Sequence, residues 1–120
     1  MKDLNNLGEA DLTYLDELAG GNTDFMREII EMFISQTPID LALLRQLIFE
    51  GDWNRVADQA HRIKPTLHYV GAAALREEMQ RMENNARTGT ELEGLQAHLN
   101  ELQPRFDALI TVLGTALKMF

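Results

Sequence analysis

Gln59-Ala60-His61-Arg62-Ile63-Lys64-Pro65-Thr66-Leu67-His68-Tyr69-Val70-Gly71 decides the fold, because its apolar residues continue a rhythm begun upstream. Trp53, Val56, Ala60, Ile63, Leu67 and Val70 step by three and four, the spacing of a helix buried along one side. At about 100° per residue, His61 points roughly 130° away from the centre of that stripe, into solvent. Lys64, one turn on, stands at the border of the stripe on the same side. An exposed imidazole offers a nucleophilic nitrogen, and a neighbouring cation offers a charge for incoming oxygens. That pairing suits a phosphoryl acceptor, although by spacing alone a solvated helix face accounts for both residues.

The same periodicity organises the rest of the chain. Residues 1–10 form a short extension carrying Leu4 and Leu7. Asp11 is a candidate N-cap for a short helix, Leu12 to Leu18, that ends at Gly20-Gly21. Asn22 or Thr23 caps a long run in which Phe25, Met26, Ile29, Ile30, Phe33, Thr37, Leu41, Leu44, Leu47 and Ile48 fall at helical spacing. Pro38 is expected to kink that helix or divide it in two, with Thr37 recapping the second part. Met26, Met32, Phe25 and Phe33 are read as core filling rather than as a cofactor site.

Gly51 stops the run and Asp52 caps the motif helix, Trp53 to about Val70. Gly71 permits a close turn before a further helix, Ala72 to about Thr88, with Leu75, Met79, Met82 and Ala86 inward. Gly89 breaks it, and Thr90 or Glu91 starts the last run. There Leu92, Leu95, Leu99, Leu102, Phe106, Leu109, Leu113 and Leu117 repeat the spacing, and Pro104 is expected to bend the helix without ending it. No segment reads as a strand. The expected architecture is all-α: an antiparallel up-and-down four-helix bundle with a short additional N-terminal helix. It is expected to be one domain over residues 1–120, with the bundle at about 11–118.

Composition narrows the function. Eleven Lys and Arg face nineteen Asp and Glu, a net charge of −8, and a nucleic-acid-binding domain would show the opposite balance. There is no cysteine, so disulfides, thiolate metal sites and a thiol nucleophile are excluded. No apolar run approaches the ~20 residues of a membrane span. Met1-Lys2-Asp3-Leu4-Asn5-Asn6 lacks the apolar core of a signal peptide, and a cytoplasmic location is expected.

Ala60-His61-Arg62-Ile63-Lys64, with Gly71 ten residues after the histidine, resembles the signature of histidine-containing phosphotransfer (HPt) domains, the four-helix carriers of bacterial phosphorelays. Phe25 to Pro38, the Gly51-Asp52-Trp53 turn and Leu75 to Glu83 also resemble the family, so the likeness covers roughly residues 10–118. The chain departs from it at Pro65, where the family usually has glycine, and at His68 and Tyr69, where small residues are common.

The resemblance implies that His61 accepts a phosphoryl group and that Lys64 stabilises it. It places Glu83, with Gln80 a turn earlier as the alternative, where a polar residue orients the imidazole or contacts the phosphoryl group. His68 is expected as a rim residue, and His98 as a surface residue without a role. Pro65 cannot donate to the His61 carbonyl, and a kink there would fix how the imidazole projects. A docking surface is expected from Leu12, Leu15, Pro65 and Tyr69, with Leu4 or Leu7 beside them.

The implied activity is phosphoryl carriage from the aspartyl phosphate of one response-regulator receiver domain to the aspartate of another. No nucleotide-binding loop is present, so no kinase activity of its own is expected. The implied partners are receiver domains and a hybrid sensor kinase, with no nucleic acid or membrane. No cofactor or metal of its own is expected, Mg²⁺ belonging to the receiver, and the chain is expected to be a monomer. The alternative is a bundle that binds and sequesters a receiver without transfer. A domain excised from a hybrid kinase is a further reading. Metal-assisted chemistry in the bundle core would need inward carboxylates and Glu-x-x-His pairs, which the apolar stripes do not contain.

Overall fold

Four long apolar stripes meet along one axis in the computed structural model, which describes residues 4–120. The first three residues of the expected extension, part of the stretch read against a signal peptide, lie outside the described residues. The helices are α1 (Thr13–Ala19), α2 (Thr23–Glu50), α3 (Trp53–Tyr69), α4 (Ala73–Thr88) and α5 (Leu95–Ala116). Single 3-10 turns, Leu92–Gly94 and Leu117–Met119, flank α5. Among the described residues there is no strand, only an isolated bridge between Leu7 and Ala10. α2 packs against α3 and α5, and α3 and α4 form a close pair. Contacts between α4 and α5 close the ring. The expected four-helix bundle with a short N-terminal helix is the observed fold.

Local chemistry sets the helix ends. Asn22 Oδ1 accepts from the Phe25 amide at 3.1 Å and starts α2. Gly51 takes the left-handed conformation that ends it, and Asp52 Oδ1 accepts from the Arg55 amide at 3.5 Å to start α3. The expected cap of the first helix is corrected: α1 begins at Thr13, so Leu12 and not Asp11 holds the N-cap position, and Asp11 Oδ1 accepts from the Thr13 amide at 3.0 Å from one residue further out. The last helix begins later than expected, at Leu95, because Glu91 and the 3-10 turn occupy the connection.

Two expectations about α2 are corrected. Pro38 does not divide it: Thr23–Glu50 is one helix, and Thr37 is a buried interior residue instead of a cap. A proline removes one main-chain hydrogen bond. Phe33, Thr37, Leu41 and Leu44 nevertheless bury the same face on both sides of it, and tertiary packing of that face supplies most helical stability. Met32 is 61% exposed and is not core, because it sits roughly 130° from the centre of the buried stripe.

At 28 residues, α2 is about 42 Å long and accounts for most of the 46 Å length of the molecule. The shorter α3–α4 hairpin lies along part of it. Its turn is sewn to the N-terminal segment by the Asp11 amide, which donates to the Val70 carbonyl at 3.0 Å, and within that segment the Leu12 amide donates to the Leu4 carbonyl at 2.8 Å. Gly71 makes this approach possible. Its φ is +68°, and a Cβ there would lie 2.0 Å from the Asp11 carbonyl oxygen. Arg105 of α5 holds the same segment from below, its Nε and Nη2 donating to the two Glu9 oxygens at 2.8 and 2.7 Å.

Candidate functional site

The buried face of α3, formed by Val56, Ala57, Ala60, Ile63 and Leu67, turns His61 outward. Its side chain is 64% exposed. Opposite it on α4, Met79, Met82 and Ala86 pack inward and carry Glu83 with them, so this carboxylate is buried at the α3–α4 seam with only 9% of its side chain exposed. The imidazole Nδ1 of His61 lies 3.3 Å from both Glu83 oxygens. Lys64 Nζ is 2.8 Å from Glu83 Oε1, and Arg87 Nε donates to Oε2 at 3.3 Å. A second bridge runs from Arg87 Nη2 to Asp58 Oδ1 at 3.1 Å.

Three donors on one buried carboxylate settle its charge. Burial acts to raise the Glu83 carboxyl, but the hydrogen bond and charge of Lys64, with the hydrogen bonds of Arg87 and His61, outweigh it and hold the group below the ordinary value of 4.5. An ionised carboxylate only accepts. The proton of a neutral His61 therefore sits on Nδ1, and the lone pair lies on Nε2.

Gln80 completes the arrangement. Its Nε2 donates to Asn84 Oδ1 at 2.9 Å, which aims its Oε1 at Lys64 Nζ, 2.5 Å away. Glu83 and Gln80 were alternatives in the sequence; in the structure Glu83 holds both the imidazole and the lysine, and Gln80 holds the lysine alone. His61, Lys64, Pro65 and His68 line one open depression of about 260 Å³ together with Arg76 of α4. α3 continues unbroken through Pro65, whose nitrogen has no hydrogen for the His61 carbonyl. His68 is exposed at the rim, its ring centroid 4.6 Å from that of Tyr14.

The docking residues divide. Tyr69 is 37% exposed, stands 6.4 Å from the Tyr14 ring, and lines an apolar groove with Ile29, Met32, Phe33 and Thr66. Leu12 and Leu15 are corrected: both are fully buried, because α1 and the residue that precedes it lay them on the bundle while Tyr14 and Leu18 turn outward. Neither leucine is available to a partner. Leu7 is also buried and Leu4 half-buried. His98, expected as plain surface, has only 18% of its side chain exposed, and its Nε2 is 2.9 Å from Glu78 Oε2.

Arg87, Asp58 and Arg76 escaped the sequence reading. Arg87 had a local signal, standing four residues after Glu83 on one helix face. Asp58 and Arg76 had none, since only the pairing of α3 with α4 brings them to the site.

The family model of the Hpt domain matches residues 28–113, most of the chain and all of α3 and α4. The chain belongs to the Hpt domain family. Hpt domains are phosphotransfer carriers, not kinases; they serve histidine phosphotransfer in phosphorelays of two-component signalling and interact with receiver domains of response regulators. The chain matches no curated protein and no solved structure. No helix of this Hpt domain among the described residues is long and apolar enough to cross a membrane, and among them no group of three or more His, Cys, Asp or Glu side chains is placed to hold a metal ion.

Proposed function

We propose that His61 is the phosphoryl acceptor and that the domain moves a phosphoryl group between two receiver aspartates in the cytoplasm. The observation that carries this reading is the exposed imidazole whose Nδ1 rests on a buried, ionised Glu83. Nε2 then faces solvent with its lone pair free. In the forward step Nε2 attacks the phosphorus of a receiver aspartyl phosphate. The P–N bond forms, the P–O bond to the aspartate breaks, and the carboxylate leaves with that electron pair. Nδ1 keeps its proton, so the ring becomes a phosphoimidazolium whose positive charge Glu83 balances. Attack by a second aspartate reverses the step.

Lys64 supports the transfer by staying at the edge of the depression, fixed by Glu83 and Gln80. In this reading the receiver supplies its aspartate and Mg²⁺, in line with phosphoryl transfer as a problem of positioning and charge. The donor is the receiver of a hybrid sensor kinase, and the domain acts as a monomer. Tyr69, Tyr14 and Pro65 supply the docking surface in place of Leu12 and Leu15.

Incubation with a phosphorylated receiver tests this. The wild-type chain acquires label that is lost in acid and survives base, and His61→Gln acquires none. A labelled His61→Gln chain would overturn the assignment. A wild-type chain that binds receivers yet stays unlabelled would instead be a sequestering bundle.

A further inference from the structure

The cations around His61 are not equally free. Lys64 is held by Glu83 and Gln80, and Arg87 by Glu83 and Asp58. Two carboxylates and two cations make that set neutral before any phosphoryl group arrives. A phosphoryl group at Nε2 adds close to two negative charges, of which the imidazolium offsets one. The built network therefore has no spare cation for the rest.

Among the cations that line the depression, Arg76 is the exception. It lies in the first turns of α4, exposed, and its side chain makes no hydrogen bond or ion pair among the described residues. It nevertheless lines the same depression as His61, Lys64, Pro65 and His68, and it borders the adjoining groove with Lys64, Glu77 and Gln80. Its guanidinium has a flexible stem and reaches the depression from the helix opposite His61. A planar fork of donors matches two phosphoryl oxygens at once, which the point charge of Lys64 does not.

We infer that Arg76 is a phosphoryl-contacting residue: it closes over the group carried on His61 Nε2 and donates to its non-bridging oxygens. This rests on His61 being the acceptor. Arg76 leaves Glu83, Lys64 and Gln80 in place when it is changed, because it is bonded to none of them. Its loss therefore acts on the phosphorylated state and leaves the resting fold alone.

The test uses phosphoramidate as donor, so that no receiver docking is involved: the P–N bond of the reagent breaks, ammonia leaves, and the phosphoryl group passes to Nε2. Relative to wild type, Arg76→Gln is expected to phosphorylate about tenfold more slowly, the size of one charge-assisted hydrogen bond. Arg76→Lys recovers part of the loss. In ³¹P spectra of the phosphorylated chains, the second phosphate ionisation moves to higher pH in Arg76→Gln, because a cation that favoured the dianion is gone. Equal rates and superimposable ³¹P titrations in wild type and Arg76→Gln would overturn the role of Arg76 while leaving His61 as acceptor. A change seen only with receivers as donors would also overturn it, assigning Arg76 to docking. Uptake by His61→Gln, or none by wild type, would instead remove the acceptor reading on which it rests.

Discussion

At the scale of single residues, the site turns on Glu83. Its carboxylate is buried, yet three donors converge on it, and removing it would leave Lys64 and the imidazole without their common partner. Glu83→Ala is expected to slow transfer to His61 by about tenfold or more, the loss of an ionic hydrogen bond that orients the ring. Glu83→Gln is expected to cost about 1–3 kcal/mol of stability near neutral pH, measured by urea denaturation. The sign of its pH dependence follows from the lowered carboxyl. The stabilisation is present above the ordinary value of 4.5 and is lost as pH falls through the lower folded value. Wild type should therefore lose stability on acidification over that range more steeply than Glu83→Gln. Glu78 behaves likewise: its hydrogen bond to His98 lowers its carboxyl, against burial.

At the scale of elements, α3 and its turn carry two opposite demands. Pro65 sits inside a helix that stays continuous around it. Pro65→Ala restores a main-chain donor and is expected to stabilise the domain by as much as ~3 kcal/mol, read as a higher urea midpoint. If the proline sets the projection of His61, the same variant transfers more slowly. Gly71 is the converse case. Gly71→Ala places a methyl group 2.0 Å from the Asp11 carbonyl oxygen at a φ of +68°. The strain and the collision together are expected to cost at least about 2 kcal/mol. The N-terminal segment should then become accessible to proteolysis before the bundle does. The glycine was legible as a tight turn, whereas its collision partner, sixty residues earlier, was not.

At the scale of the whole molecule, the bundle is held by one apolar core running the length of α2 to α5. Phe106 is fully buried in it, whereas Phe49 on α2 is 83% exposed. Phe106→Ala is expected to cost about 3–5 kcal/mol. Phe49→Ser is expected to change stability by less than about 0.5 kcal/mol. The single Trp53, half-buried against the core, reports both unfolding transitions by fluorescence. The docking surface belongs to this scale as well. Leu15 lies on a helix of two turns and Leu12 just before it, and so short a period does not reveal which side meets the core.

The helices, their order and the outward face of His61 were determined by the sequence itself, because caps, glycines and apolar spacing act within a few residues of where they are written. Even the prolines could be placed, although their effect on α2 could not. The tertiary structure decided what lies across the seams. It put Glu83 on the imidazole, Arg87 and Asp58 around it, Arg76 beside the depression, and Leu12 and Leu15 out of reach. Those outcomes depend on which faces of separate helices come together, and burial and ion pairing across a seam have no local signature in the chain.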